Sequence, residues 1–133
     1  MHLNQWLAAE QVTVPPGCVR EMHWHPNADE WGFVLEGSAQ IGIFGAHGRS
    51  KQEQFAKGDV FFVQQGFGHY IKNTGNGKFE AIIVFNSPRY QQISLSEWLG
   101  ANPTQLISDN FSISNDVTDK LPTELIGIVK KRS

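Results

Sequence analysis

Short apolar segments separated by glycine-rich turns are the feature of this sequence that most constrains its fold. They recur roughly every 8–12 residues up to about residue 86, a spacing typical of antiparallel β-strands. Turn signals built from Pro, Gly, Asn and Asp lie at residues 15–17, 36–37, 57–59 and 66–68. No long helical segment alternates with the strands, which argues against a parallel α/β fold. The first two-thirds of the chain therefore predict an all-β sandwich or barrel.

The pattern changes after Pro88, where the sequence becomes helical in character. Ser94 precedes an acidic turn that contains Glu97, and this combination predicts a helix N-terminus. Pro103 stands at the start of a second predicted helix, over residues 103–111. A weaker third element is predicted over residues 121–128. We expect the apolar side chains of this tail to pack on the strands or on a partner subunit.

Two histidines at alternate positions form the first candidate site. His23 and His25 lie on one face of a predicted strand, because strand side chains alternate with a period of two. A turn follows, and an antiparallel neighbour can bring Glu30 back beside them, with His69 arriving after a later turn. Three imidazoles and one carboxylate suit a divalent transition metal. The alternative is that the His-x-His pair is an ordinary surface feature of a strand.

The spacing of the glycines around these residues favours the metal site. One run reads Gly-x5-His-x-His-x4-Glu-x6-Gly from Gly17 to Gly37, and the second reads Gly-x5-Gln-x-Gly-x2-His-x3-Asn from Gly58 to Asn73. These runs resemble the two motifs of the cupin family, with Gln64 at a position where the family commonly has proline. The resemblance implies a double-stranded β-helix, or jelly-roll barrel. We expect residues 1–133 to form a single cupin domain, with the barrel at about 11–86 and a helical tail at about 94–128.

A closer resemblance is to the C-terminal cupin domain of bacterial bicupin oxalate decarboxylases. It is carried by the segments 20–31, 68–70, 85–87 and 94–99. In that family the four ligands hold manganese, and oxalate is split to formate and carbon dioxide. The family's arginine three residues before the first histidine is associated with the substrate carboxylate, and Arg20 matches it. The resemblance therefore implies a small carboxylate as the ligand and Arg20 as a catalytic residue.

Arg20 presents a difficulty for this interpretation. Strict alternation places Arg20 on the opposite face of the strand from His23 and His25. A bulge or strand start near Gly17 and Cys18 would be needed to turn its side chain inward. An inward guanidinium would bind a carboxylate through two parallel hydrogen bonds. The alternative is a surface arginine.

The proton donor that a decarboxylase requires is absent from its family positions. Decarboxylation needs a group that delivers a proton to the carbon that loses carbon dioxide. The family places a glutamate either on the loop after the last barrel strand or within that strand. Residues 86–92 contain no carboxylate, and Ile83 occupies the strand position. Glu80 is close in sequence, but its offset of three residues places it on the other face.

Several interpretations of the function therefore stay open. One is a metalloenzyme that acts on a small carboxylate such as oxalate, and another is a metal-dependent binding or structural cupin without turnover. An oxygen-dependent oxidase or dioxygenase is a third. The ligand set suits one divalent ion, which could be manganese, iron, nickel, cobalt, copper or zinc, and the resemblance to oxalate decarboxylases puts manganese first.

Composition limits the remaining partners. The net charge is −2, and the short basic segment 130–132 is expected to be a solvated end, so we expect no nucleic-acid partner. No apolar run is long enough for a membrane span. The lone cysteine, Cys18, forms no intrachain disulfide, which suits a reducing compartment, and we expect a cytoplasmic location. Small cupins commonly dimerise, so a homodimer is expected.

Overall fold

Two antiparallel sheets make up most of the computed structural model, which describes residues 6–130. The strands are β1 (Ala8–Val14), β2 (Cys18–Trp24), β3 (Glu30–Glu36), β4 (Ser38–Phe44), β5 (Ser50–Ala56), β6 (Val60–Val63), β7 (Gly68–Asn73), β8 (Phe79–Phe85), β9 (Ile93–Ser94) and β10 (Ile128–Lys130). One sheet has the order β1-β8-β3-β6, and the other has the order β10-β2-β7-β4-β5, with β9 also paired to β2. This strand order is that of a jelly roll, and it confirms the predicted all-β fold.

Period-two patterning places the core between the two sheets. β8, for example, alternates buried and more exposed residues along its whole length, so that Phe79, Ala81, Ile83 and Phe85 point inward. Burial of such side chains is worth roughly 1.5–3 kcal/mol each for the larger ones. The same inward rows come from the other strands, and the buried cluster also contains Val14, Val34, Ala39, Ile41, Phe61, Val63 and Ile71.

The glycines of the two motifs stand where the backbone turns left-handed. Gly37, between β3 and β4, has φ +78°, and a side chain there would also collide with the Lys78 carbonyl. Gly58, before β6, has φ +94°. L-residues rarely adopt such angles, so glycine is favoured at both turns. The spacing of the glycines in the two motifs thus corresponds to the turns that bring the site residues close to one another.

Asn73, the last residue of the second motif, is a buried turn anchor. Its side-chain amide donates to the carbonyls of Val14 and Gly77, both at 2.8 Å. Its side-chain oxygen accepts from the backbone N–H of Gly75. The bond to Val14 ties the turn between β7 and β8 to the end of β1, and the other two satisfy backbone groups within that turn.

The helical tail is shorter than expected from the sequence. Helices α1 (Leu95–Gly100) and α2 (Thr104–Phe111) begin where Ser94 and Pro103 predicted, and Ser94 with Glu97 forms a capping box. A short helix α3 (Asn115–Thr118) follows.

The weak element predicted over 121–128 is not a helix. Pro122 lacks a backbone N–H and Gly127 has φ +71°, which disfavour helix there. The last described residues instead form β10, which pairs with β2. Only Lys130 of the basic segment 130–132 lies within the described residues. No helix within residues 6–130 is long and apolar enough to cross a membrane.

Candidate metal centre

Four buried side chains converge between the two sheets. His23 near the end of β2 lies directly opposite His69 of β7, so one cross-strand pair supplies two imidazoles. His25 follows β2, and Glu30 is the first residue of β3 in the other sheet. All four side chains are at most 4% exposed. The structure therefore brings together the four residues that the sequence singled out, at the point where the sheets meet.

The distances between these groups are those of a compact ligand cluster. One ligand atom from each residue lies within 4.8 Å of the others. The Glu30 carboxylate oxygen Oε2 is 3.1 Å from the Nε2 atoms of both His25 and His69. The ring centroids of His23 and His69 are 4.1 Å apart. A single ion placed among them would find three nitrogens and one oxygen, a set suited to divalent transition metals.

Backbone carbonyls orient all three imidazoles. Nδ1 of His23 lies 2.7 Å from the Glu21 carbonyl, and Nδ1 of His25 lies 2.8 Å from the Gln91 carbonyl. Nδ1 of His69 is 3.2 Å from the carbonyl of Phe67. A carbonyl only accepts, so each Nδ1 carries a proton and donates it, and each ring turns its Nε2 atom toward the centre. Metal-binding histidines are held in this way in proteins.

One of these nitrogens lacks a partner. Nε2 of His25 is buried and makes no hydrogen bond, although the Glu30 oxygen is close. Nδ1 of His25 is bonded to the Gln91 carbonyl, so Nε2 is the ring atom that faces Glu30. A buried polar atom without a partner costs about 1–3 kcal/mol. A cation between the two groups would remove that cost, so the residues present fit a metal ion.

The electrostatics of the cluster also favour a cation. Burial lowers the pKa of His23 to about 2, and the neighbouring His69 and Arg20 act in the same direction, so the His23 ring is neutral. Burial raises the pKa of Glu30, but the imidazoles of His25 and His69 outweigh it and hold that pKa well below its usual range. The centre thus presents a neutral His23 ring and a charged Glu30 carboxylate, the protonation states that a metal requires of these ligands.

A β-bulge turns Arg20 toward the same side as the histidines. Between the pairs Arg20–Ile71 and His23–His69, β2 advances three residues while β7 advances two. Arg20 therefore lies opposite Ile71, a core residue, and shares its face. The bulge lies later than the Gly17–Cys18 position expected from the sequence.

The chain's own groups hold the Arg20 guanidinium in place. It donates to the side-chain oxygen of Gln92 and, at 3.3 Å, to the carbonyl of Gly127. The half-buried guanidinium also lies near enough to lower the pKa of His23.

The segment 87–92 covers the centre. Asn27 holds it at two points, donating to the Arg89 carbonyl at 3.0 Å and accepting from the Gln91 N–H at 2.7 Å. The Tyr90 ring stacks on Phe85 with 3.8 Å between centroids and meets the His25 ring edge-on. The segment was predicted only to lack a carboxylate, and its role as a cover depends on these long-range contacts, which no local pattern in the sequence shows.

Tyr90 also ties this segment to the first strand. Its hydroxyl donates to the Glu10 carboxylate at 2.6 Å. Burial raises the pKa of Tyr90 to about 12, and the hydrogen bond to Glu10 contributes. Glu10 lies opposite Ile83 in the β1–β8 register, and Ile83 itself is part of the buried core. The structure therefore places a carboxylate on the strand beside the position where the sequence lacks one, but it is engaged with Tyr90.

Comparison with known proteins gives one family. The family model described as Cupin matches residues 4–119. An oxalate decarboxylase of Bacillus subtilis is 33% identical over 130 residues, which are 98% of this chain and 34% of that protein. Nectarin-1 of Nicotiana plumbaginifolia is 34% identical over 111 residues, or 78% of this chain and 47% of the relative. The chain spans about a third of the length of the oxalate decarboxylases it matches.

The solved structures similar to this chain include the same kind of protein as its sequence relatives. A structure of Bacillus subtilis oxalate decarboxylase, from work on the Mn(II) centres of that enzyme, superposes with a TM-score of 0.93 at 34% identity. The match covers 96% of this chain and 34% of the other. A structure of the same enzyme at pH 4.6 gives the same values.

Proposed function

Because this chain belongs to the cupin family, we propose that it binds one divalent metal ion and uses it, together with Arg20, to hold a small carboxylate such as oxalate. The proposed metal ligands are His23, His25, Glu30 and His69. Manganese is the first candidate, since the similar Bacillus subtilis enzyme has Mn(II) centres. The alternatives are iron, nickel, cobalt, copper and zinc, which also bind imidazole nitrogen or carboxylate oxygen.

The observation that carries this proposal is the bonding of the three imidazoles. Their Nδ1 atoms all bond to backbone carbonyls, so their Nε2 atoms face one place, where Nε2 of His69 bonds to Glu30 Oε2 at 3.1 Å. The unpartnered Nε2 of His25 beside a charged carboxylate is difficult to explain by packing alone. A structural histidine cluster would be expected to pair this atom with a donor.

The roles of the chain's own residues follow from their chemistry. A bound divalent ion supplies Lewis-acid polarisation of a carboxylate oxygen. Arg20 supplies a fixed positive charge and paired N–H donors on the same face, so it orients the carboxylate and offsets its charge. The segment 87–92 excludes water from the centre, with Tyr90 placed over His25. Glu30 stays charged and balances half of the charge of a divalent ion.

Metal binding is tested by elemental analysis of the purified protein. We expect about one equivalent of metal in the wild type, and loss of most of it in His25→Ala. The matched control is His47→Ala, since the His47 ring is exposed on the β4–β5 hairpin. Equal metal content in the two variants would contradict the proposed site.

A second candidate function is the binding of a ligand without turnover. The observation that favours it is Ile83, which is a fully packed core residue where a proton donor would be needed. Glu10 beside it is held by Tyr90. An oxidase, with dioxygen as co-substrate, would need no such donor and is the third outcome.

A turnover assay separates these outcomes. Metal-loaded protein is incubated with oxalate in air, and formate, carbon dioxide and hydrogen peroxide are measured. Formate supports the decarboxylase, and peroxide without formate supports the oxidase. If neither product forms but calorimetry detects oxalate binding, the protein is a binding cupin. If oxalate neither binds nor reacts at full metal occupancy, the carboxylate proposal is wrong.

The remaining expectations complete the proposal. We propose that the chain acts as a single cupin domain, in the cytoplasm, and that two copies associate as a homodimer. The lone Cys18 and the absence of a long apolar run support the location. We propose no nucleic-acid or membrane partner.

A further inference from the structure

A cavity of about 480 Å³ lies at one edge of the barrel, where the β4–β5 hairpin meets β6 and the turn before β7. β5 is the edge strand of the larger sheet there, and β6 is the edge strand of the four-stranded sheet. We call this space the edge cavity. Its volume lies within the usual range of small-molecule binding sites. The side chains that characterise its lining are Ile43, Arg49, Lys51, Phe62, Gln64 and Phe67.

The walls of the edge cavity are apolar, and the charges that line it are all positive. Ile43, Phe62 and Phe67 supply hydrocarbon surface, whereas Arg49 and Lys51 supply two cations. No carboxylate of the described residues 6–130 lines the cavity. Binding sites combine apolar surface with a few polar groups that fix the orientation of the ligand. A lining of this composition therefore suits an anion that carries an apolar body.

The Arg49 guanidinium has donors available for such an anion. Its Nε atom donates to the Ala46 carbonyl at 3.4 Å, and the Arg49 carbonyl accepts from the Gly45 N–H at 2.9 Å. Its two terminal nitrogens bond to no residue within the described range 6–130. These nitrogens form a planar fork that matches the two oxygens of a carboxylate. Arg49 is therefore the main anion-binding group of the edge cavity.

Lys51 lies in one row with the candidate metal centre. In the register of the larger sheet, His69 of β7 lies opposite Ile43 of β4, and Ile43 lies opposite Lys51 of β5. Directly opposite residues share a face of the sheet, so these three side chains lie on its inner side. Lys51 is two strands away from His69, or about 10 Å between backbones. Ile43 therefore separates the edge cavity from the metal centre.

The Lys51 ammonium has one competing partner. It pairs with Glu53 at 2.7 Å, but the two side chains are 75% and 50% exposed. Ion pairs this exposed contribute little, so an incoming anion can share the ammonium. An inward lysine also protects an edge strand from pairing with another chain. That role requires neither a second cation nor a cavity beside it.

Two phenylalanine rings shape the apolar part of the edge cavity. Phe67 packs on Gly45, where a Cβ atom would lie only 2.7 Å from the Phe67 ring, so the turn before β7 is held against the hairpin. The Phe62 ring contacts Trp31, with 4.9 Å between centroids, and is 46% exposed. Aromatic rings pack well against other aromatic rings. The apolar body that fits this cavity is therefore an aromatic ring.

We propose that the edge cavity is a second ligand site of this protein and that it binds an aromatic carboxylate. The carboxylate lies against Arg49 and Lys51, and the ring of the ligand lies against Phe62 and Phe67. This site requires no metal ion, and it is independent of the proposed binding of oxalate. Oxalate has no apolar body and lacks the contacts with the two phenylalanines.

The test is a fluorescence titration of the full chain with 2-naphthoate, and with 2-naphthamide as a neutral probe of the same shape. We expect saturable binding of naphthoate with a dissociation constant at or below about 1 mM. The amide should bind about tenfold more weakly, because it lacks the charge. Equal affinity for the two probes, or no saturable binding of naphthoate up to about 10 mM, would overturn the proposal.

Substitutions in the lining locate the bound probe. Arg49→Gln should raise the dissociation constant of naphthoate about tenfold, since it removes the carboxylate fork. Lys51→Gln should raise it about threefold, because that ammonium is solvated and shared with Glu53. The matched control is Lys57→Gln, at an exposed lysine between β5 and β6 that does not line the cavity. It should leave the constant within about twofold of the wild type.

His25→Ala separates this site from the metal centre. The variant should bind naphthoate as the wild type does, even where it has lost its metal. Naphthoate binding that is lost in His25→Ala but kept in Arg49→Gln would place the probe on the metal and contradict the edge cavity as its site. The metal proposal would stand in that case, so the two proposals fail separately.

Discussion

Arg20 shows how one residue depends on a local irregularity of its strand. In a regular strand it would share a face with Met22, which is exposed, and not with His23. The extra residue of the β2 bulge reverses this, so that Arg20 faces the same interior as Ile71. Gln92 then holds the guanidinium by accepting from it. A residue that simple alternation assigns to the surface thereby becomes available to the site.

We predict that Arg20→Lys weakens oxalate binding while leaving metal content unchanged. Lysine keeps the charge but loses the planar fork that binds a carboxylate through two bonds. The expected loss is about tenfold in affinity, or about 1.4 kcal/mol. Isothermal titration calorimetry of metal-loaded protein measures it, with Lys57→Arg at the exposed turn between β5 and β6 as the control. An unchanged affinity would reduce Arg20 to a structural contact of Gln92 and Gly127.

At the scale of elements, β2 joins the metal centre to the tail. His23 lies on the side of β2 that faces the candidate metal centre. Glu21 lies on the side that faces the tail, and it is 7% exposed. That carboxylate accepts from the N–H and the hydroxyl of Ser96, in the first turn of α1. It also accepts from the Gly127 N–H at 2.7 Å, directly before β10. A single buried carboxyl group therefore anchors two tail elements to the barrel.

We predict that Glu21→Ala destabilises the protein and loosens the tail. The substitution leaves three donors without an acceptor, and hydrogen bonds to a charged group contribute about 1.5–3 kcal/mol each before compensation by water. A net loss of about 3 kcal/mol in the free energy of unfolding is expected from urea denaturation. Amide hydrogen exchange should accelerate over residues 126–130.

Glu124→Ala is the control, since Glu124 is an exposed carboxylate of the same tail. It should change the free energy of unfolding by less than about 0.5 kcal/mol. Exchange in residues 126–130 that is the same in both variants would show that Glu21 does not anchor the tail.

For the molecule as a whole, the candidate metal centre is a link between the sheets. His23 and His69 belong to the larger sheet, whereas Glu30 belongs to the four-stranded sheet. An ion bound by all three would connect the two halves of the barrel in the folded state only. Metal binding should therefore contribute to the stability of the entire fold.

We predict that metal raises the melting temperature. A ligand at a hundred times its dissociation constant adds about 2.7 kcal/mol to the free energy of unfolding. For a chain of this length that corresponds to roughly 10 °C. Differential scanning calorimetry with manganese and with a chelator measures the shift. His25→Ala should show little or no shift, and a shift of wild-type size in that variant would place the bound metal elsewhere.

The sequence by itself determined the fold class and predicted the members of the candidate metal cluster. Period-two patterning is a local property, and left-handed turns select glycine locally, so Gly37 and Gly58 mark turns that the sequence alone predicts. The spacing of His23, His25, Glu30 and His69 between such turns then leaves few ways to arrange them.

Only the tertiary structure decided what surrounds these four residues. The bulge that turns Arg20 inward depends on the pairing of β2 with β7, which lies far away in sequence. The contact of Tyr90 with Glu10 joins residues 80 positions apart. The exposed apolar side chains of Trp31, Phe33 and Phe62 lie on strands that look like ordinary core strands in sequence. Patterning reveals which residues are apolar but not which side of a sheet is left uncovered. These features arise from long-range packing, and no local pattern encodes them.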